Sequence, residues 1–277
     1  MQKHAPQFIG IGAAHAGLGI VARLLSSHPQ VVTAIPALNF FNTDAFTTRG
    51  TLAYEDELLP AYQNGKLRGE CSPAYLTAPG VAERIATEYP DTKLFVIVRN
   101  PIDRAIAQYE QAKRKKTVSP HISCARYMAA TPLVQTDGFY GKHLHEYFFY
   151  YTSKQLHIIV YEDLVASPLT VMQSLFTFLE INSSFIPKEL MAFAPPPDEP
   201  KHRGRISRLV HFIAKLIKKA RTKPVVPIFP EAFVQAKYCT AEELAPFKRA
   251  FATDARHLTN LLHRDMGVCW NLEEETL

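Results

Sequence analysis

The sequence predicts an α/β domain: a P-loop-type, mostly parallel sheet with helices on both faces. Three continuous apolar runs carry the prediction, Phe8–Ile11, Leu94–Val98 and Leu156–Val160. Each is short, and each is followed by residues at helical spacing. Runs of this kind read as strands covered on both faces, and strand–helix alternation reads as parallel crossovers. The third observation is the turn after the first run, Gly12-Ala13-Ala14-His15-Ala16-Gly17-Leu18-Gly19. A glycine-rich turn between strand and helix aims backbone N–H groups and a helix N-terminus at one point, which suits an anion.

The elements follow in order. After the glycine turn, Leu18, Ile20, Val21, Leu24 and Leu25 continue as a helix that closes at His28-Pro29. Residues 40–68 are mixed and carry no clear period. Lys93–Val98 is a strand ending at Arg99-Asn100-Pro101. Proline there opens a helix with Ile102, Ala105, Ile106 and Tyr109 on one face. Residues 111–137, with Lys113-Arg114-Lys115-Lys116, read as an excursion with some helix. Leu156–Tyr161 is a third strand, and Ser167-Pro168 opens a helix with Val171, Met172, Leu175, Phe178 and Leu179. Pro195-Pro196-Pro197 and Pro200 interrupt the chain. An amphipathic helix is expected over 206–217, and a last helix over Leu244–Leu262.

The 277 residues suit one domain, 1–277, with core segments 7–35, 69–110, 138–182 and 240–270. Insertions are expected at 36–68, 111–137 and 195–235. No apolar run approaches the length of a membrane span, and the first residues lack the apolar core of a signal peptide. Cys71, Cys124, Cys239 and Cys269 are far apart in sequence and form no C-x-x-C pair. Neither a zinc site nor a disulfide framework is indicated, and a cytoplasmic, reducing setting is the expectation. The net charge of +5 is local: residues 201–223 hold nine Lys or Arg and no acid, while the remainder carries 22 basic and 26 acidic side chains. That stretch reads as a solvated helix face, or as a surface for an acidic substrate, a phosphate or an anionic membrane.

The glycine turn fits neither common phosphate code. A nucleotide triphosphatase loop ends in Gly-Lys-Ser/Thr, whereas Gly17 is followed by Leu18 and Gly19. A phosphoryl-transferring kinase is therefore disfavoured, as is the dinucleotide pattern, because His15 stands where the last glycine belongs.

Six blocks, in order, resemble the PAPS-dependent sulfotransferases, above all the soluble bacterial and heparan-sulfate-type members; PAPS is 3′-phosphoadenosine 5′-phosphosulfate. These are the opening strand and loop with His28-Pro29; Gly69-Glu70-Cys71-Ser72-Pro73-Ala74-Tyr75; Arg99-Asn100-Pro101-Ile102-Asp103-Arg104-Ala105; Gly138-Phe139-Tyr140 with His143-Leu144; Tyr161-Glu162-Asp163-Leu164 with Ser167-Pro168; and Asp265-Met266-Gly267-Val268-Cys269-Trp270. The resemblance implies PAPS as sulfuryl donor, 3′,5′-adenosine bisphosphate (PAP) as product, no metal, and in-line transfer to a hydroxyl or amine. The acceptor would be a small molecule, a glycan or a lipid-like compound, selected by residues 40–68 and 111–137, and no nucleic acid is implied. It places Gly12, Ala13, Ala14, His15, Ala16, Gly17, Leu18 and Gly19 at the phosphosulfate, Arg99 at the 3′-phosphate, Tyr140 on the adenosine side and Glu70 as general base.

The departures from that pattern are specific. His15 replaces the loop lysine, Leu18 and Gly19 replace two hydroxyl residues, Ala107 replaces a serine beside Arg99, and Pro36-Ala37 replaces Lys-Glu before Phe40-Phe41. Lys201, Arg203 or Arg205 is expected to supply the missing positive charge. The alternative is a repurposed member of the fold that binds a nucleotide, another anion or a protein partner.

Overall fold

The structure is a computed structural model and describes residues 5–58, 65–193 and 237–272. Five parallel strands form one sheet: β1 (Phe8–Gly12), β2 (Val31–Ala34), β3 (Leu67–Cys71), β4 (Lys93–Val98) and β5 (Leu156–Val160), in the order β2-β3-β1-β4-β5. β1 pairs with β3 on one side, with Ile9 opposite Glu70, and with β4 on the other, with Gly10 opposite Phe95. The chain thus turns outward in both directions from β1. In open parallel sheets such a point forms a crevice beyond the strand ends, where ligands bind.

The helices are α1 (Leu18–Ser26), α2 (Ala45–Leu58, two pieces meeting at Gly50), α3 (Val81–Glu88), α4 (Pro101–Arg114), α5 (Cys124–Ala130), α6 (Pro132–Thr136), α7 (Tyr140–Tyr150), α8 (Tyr161–Ala166), α9 (Pro168–Phe178), α10 (Ala241–Leu262) and α11 (Met266–Cys269); a 3₁₀ turn spans Lys188–Phe193. Central β1 and β4 are buried almost throughout, which is why their sequences are continuously apolar.

The three strands expected from their apolar runs are present, and two more lie between them. β2 has only four residues, and β3, Leu-Arg-Gly-Glu-Cys, carries two charges. Both escape an apolar-run criterion because the sheet, not local sequence, covers them. β3 begins at Leu67, inside the insertion expected at 36–68, so that insertion is shorter than its sequence suggests. The excursion at 111–137 holds the end of α4 and the short helices α5 and α6. The helix expected over 206–217 lies outside the described residues, as does all of 201–223. No helix among the described residues is long and apolar enough to cross a membrane.

Two local devices aim the later helices. Asn100 caps α4, its side-chain oxygen accepting from the Ile102 and Asp103 amides at 3.0 and 3.4 Å. Thr240 and Glu243 form a reciprocal capping box at the start of α10. His28 is structural: its Nδ1 accepts from the Gln30 amide, its Nε2 lies 3.0 Å from the Asn182 carbonyl, and its ring packs between Phe176 and Phe185.

Candidate anion-binding site at the β1–α1 turn

The turn is held open from within. The Ala13 amide donates to the Ile97 carbonyl of β4 at 2.9 Å, and the Ala16 amide donates back to Ala13 at 3.3 Å. Among the described residues the amides of Ala14, His15 and Gly17 donate to no backbone carbonyl. Leu18 and Gly19 open α1, where the first N–H groups lack an intrahelical acceptor. Five N–H groups are thereby left for an anion, and none of them depends on side-chain identity.

Left-handed backbone shapes the turn. Gly17 has φ +97°, and a Cβ there would meet the Tyr161 ring at 2.9 Å. The Arg99 guanidinium lies over the same ring, 4.4 Å from its centre. Arg99 also donates from an Nη to the His15 carbonyl at 3.2 Å. Loop, aromatic ring and guanidinium therefore support one another. Arg99 is only 4 % exposed, so it is largely desolvated before any ligand arrives.

The next residue pins Arg99 from behind. The Asn100 amide donates to Glu162 at 2.8 Å, and its side-chain amide donates to the Trp270 carbonyl at 2.9 Å. Trp270 Nε1 donates to the other Glu162 oxygen at 3.1 Å. The Tyr-Glu-Asp-Leu block after β5 and the Asp-to-Trp block near residue 270 are thus architectural parts of one clasp.

His15 is held neutral. Burial, then the positive charges of Arg104, Lys115, Arg99 and Arg114, lower its pKa from 6.5 to about 4. The cations that do this come from the end of β4 and from α4 with its C-terminal end. Sequence reading placed Lys113–Lys116 in an excursion; the structure turns part of that run toward the loop, and only the direction of α4 reveals this.

Other expected site residues fall elsewhere. Glu70 is 0 % exposed, and both carboxylate oxygens are occupied. Tyr54 and Tyr75 hydroxyls donate to Oε1 at 3.0 and 2.8 Å, and the Ser72 hydroxyl and Leu38 amide donate to Oε2 at 2.6 and 3.3 Å. Tyr75 and Ser72 in turn accept from the Phe40 and Asn39 amides at 2.8 and 2.9 Å. Burial raises the Glu70 pKa although all four hydrogen bonds oppose it. A general base has to reach the proton it removes; in this structure the carboxylate ties residues 38–41 to the sheet, and the base role expected of it is left to the Glu70→Gln test below.

Tyr140 is wholly buried against Trp270, ring centres 5.8 Å apart, so it supports the clasp without exposing surface to a ligand. Leu18 points into the core, whereas Gly19 has open space where a side chain would project. Ala107 is half-buried on α4 and offers no donor. Lys201, Arg203 and Arg205 lie outside the described residues. No cluster of three metal-binding side chains occurs among the described residues.

A family model described as a sulfotransferase domain matches residues 83–194. The match takes in Arg99 and α4 but not the glycine turn. The chain is similar to heparan sulfate glucosamine 3-O-sulfotransferase 5 of Mus musculus, 30% identical over 195 residues, covering 65% of this chain and 54% of that protein. It therefore spans about half the length of that curated relative. A sulfotransferase structure from Alicyclobacillus acidocaldarius superposes with TM-score 0.71 at 21% identity, covering 96% of this chain and 99% of the other. A mouse sulfotransferase complexed with PAP superposes with TM-score 0.54 at 15% identity, covering 96% and 87%. None of these relatives lends support to the repurposed reading. The domain match, the curated relative and the full-length superposition all point the same way: the chain has the fold of the sulfotransferases and is similar to them in sequence over its middle part.

Proposed function

We propose that this chain binds PAPS at the β1–α1 turn and transfers its sulfuryl group to a hydroxyl or amine acceptor. The observation that carries the proposal is the set of amides at Ala14, His15, Gly17, Leu18 and Gly19 without backbone acceptors, in a turn whose His15 carbonyl accepts from the buried Arg99 guanidinium. The phosphosulfate would lie on those amides, and Arg99 would pair with the 3′-phosphate through its planar fork. The acceptor oxygen or nitrogen attacks sulfur as the bond from sulfur to the bridging oxygen breaks, its proton passes to water, and PAP leaves on the opposite side. Positioning and fixed dipoles supply most of the rate in such a transfer.

The neutral His15 donates one hydrogen bond near the bridging oxygen. Positive charge comes from Arg99, Arg104, Arg114 and Lys115, the groups that depress the histidine. The lost lysine is in this way replaced by a distributed field. The acceptor is a glycan or small molecule met by residues 35–58 and 111–137. Exposed Ile35 and Leu52 favour an acceptor with an apolar part.

Calorimetry with PAP tests the donor site. The expected result is one site tighter than about 100 μM, equivalent to about 5.5 kcal/mol. Absence of heat and of any thermal shift at millimolar PAP would overturn the reading. Transfer of label from PAPS to a panel of phenols, amines and glycans then identifies the acceptor class.

A further inference from the structure

Helices α7 and α10 are clamped together at one point. The Asp254 carboxylate accepts from the Gly141 and Lys142 amides, at 2.8 Å each. Gly141 lets the two helices touch there: a Cβ on it would meet the Cβ of His257 at 2.7 Å and the Asp254 carbonyl at 2.8 Å. From this clamp onward the helices leave a cleft of about 490 Å³ between them. It is lined by Lys142, His145 and Phe148 of α7 and by His257, Asn260 and Leu261 of α10. Residues three or four apart share one side of a helix, so each helix turns one such side to the cleft. The lining includes no residue of the β1–α1 turn, of 35–58 or of 111–137.

The lining divides by chemistry. Lys142, His145, His257 and Asn260 bring an ammonium, two imidazoles and an amide, all able to donate hydrogen bonds. Phe148 and Leu261 supply an apolar wall. Leu261 is 40 % exposed, although Leu244, Phe247, Phe251 and Leu258 of the same helix are buried. No carboxylate is among the described residues that line the cleft. Asp254, at the clamp, already has both oxygens on backbone amides.

We propose that this cleft binds a small amphipathic organic anion, a ring system or short chain that ends in a carboxylate, sulfonate or sulfate. The head group takes its hydrogen bonds from Lys142, His145 and His257, and the hydrocarbon body covers Phe148 and Leu261. Each half alone is weak. An exposed ammonium gains little from a lone anion, and two apolar side chains do not orient a ligand. Together they give the mostly apolar wall with a few convergent polar groups that small-molecule sites share, and the volume falls in their range. This inference does not depend on the donor site proposed above.

The test titrates naphthalene-1-sulfonate into the whole chain by calorimetry. One site with a dissociation constant below about 1 mM is expected. Naphthalene-1-methanol keeps the rings and loses the charge, and it should bind at least about 5-fold more weakly. Lys142→Gln should weaken the sulfonate at least about 5-fold, and Leu261→Gln should do so by about the same factor. Both side chains are exposed, so both variants should keep the wild-type unfolding midpoint. Arg99→Ala should bind the sulfonate as tightly as wild type, which separates this cleft from the β1–α1 turn. Absence of binding at millimolar sulfonate would overturn the proposal. So would equal binding of the alcohol, an unchanged affinity in Lys142→Gln or Leu261→Gln, or loss of the site in Arg99→Ala.

Discussion

The β1–α1 turn and the end of β3 lie on neighbouring strands, yet they treat their polar groups in opposite ways. At the turn, five amides are left without backbone acceptors, and the side chains of the turn other than His15 are small or apolar. At Glu70, four donors converge on one carboxylate and nothing is left over. An unfilled set of donors beside a desolvated cation suits a ligand. A filled set suits the fold, since a buried polar group costs stability when it loses its partners. Chemically suggestive residue types do not by themselves separate the two cases; the state of their hydrogen bonds does.

The sharpest way to break this contrast is to remove the carboxylate. Glu70→Ala strands two tyrosine hydroxyls, a serine hydroxyl and an amide, and should cost about 3–5 kcal/mol in urea unfolding. Glu70→Gln should fold and retain measurable sulfuryl transfer. Total loss of transfer in a well-folded Glu70→Gln protein would restore this residue to the chemistry and erase the difference between the two regions.

On the other side, Arg99→Ala should weaken PAP binding at least about 10-fold by calorimetry, the scale of losing charge-assisted hydrogen bonds. Arg99→Lys should recover little of it, because an ammonium neither forks to a phosphate nor stacks on Tyr161. Equal affinity in all three proteins would remove the guanidinium from the site.

A smaller effect concerns pH. The folded protein keeps His15 unprotonated down to about pH 4, whereas an unfolded histidine protonates near 6.5. Between those values the unfolded chain binds the extra proton, so this contribution to stability is present above about pH 6.5 and is lost on acidification toward pH 4. The cost is about 2 kcal/mol once partial exposure is allowed for. His15→Gln should flatten that part of the stability–pH curve. An anion bound beside the ring should raise its pKa, so PAP should bind more tightly in wild type as pH falls from 6 to 5, with less change in the variant.

The mildest change is a repair. Gly19 has open space at its Cβ position and a helical setting, so Gly19→Thr should be tolerated, with a gain of about 0.5 kcal/mol from the restricted unfolded chain. Its hydroxyl should strengthen PAP binding by a few-fold. The matching change at Leu18 should not help, because Leu18 fills the core beneath the turn, and its loss leaves a cavity.

Much of this was legible in the chain. Continuous apolar runs identify β1, β4 and β5 because those strands are covered on both faces. Pro101 behind Asn100 announces α4, and the glycine turn announces the sharp bend from β1 into α1. β2 and β3 escaped detection: one is too short for a period, and the other carries Arg68 and Glu70 into the sheet. The general-base assignment to Glu70 rested on resemblance, and residue type alone does not reveal burial.

The sequence by itself determined the layer architecture and the position of the turn, since both follow from local periodicity and from where glycine permits the backbone to bend. Only the tertiary structure decided which polar groups are already satisfied. That includes the closure of the Glu70 cluster, the stacking of Arg99 on Tyr161 and the neutrality of His15. Each depends on burial and on charges far away in the chain, and those are fixed when distant segments pack together.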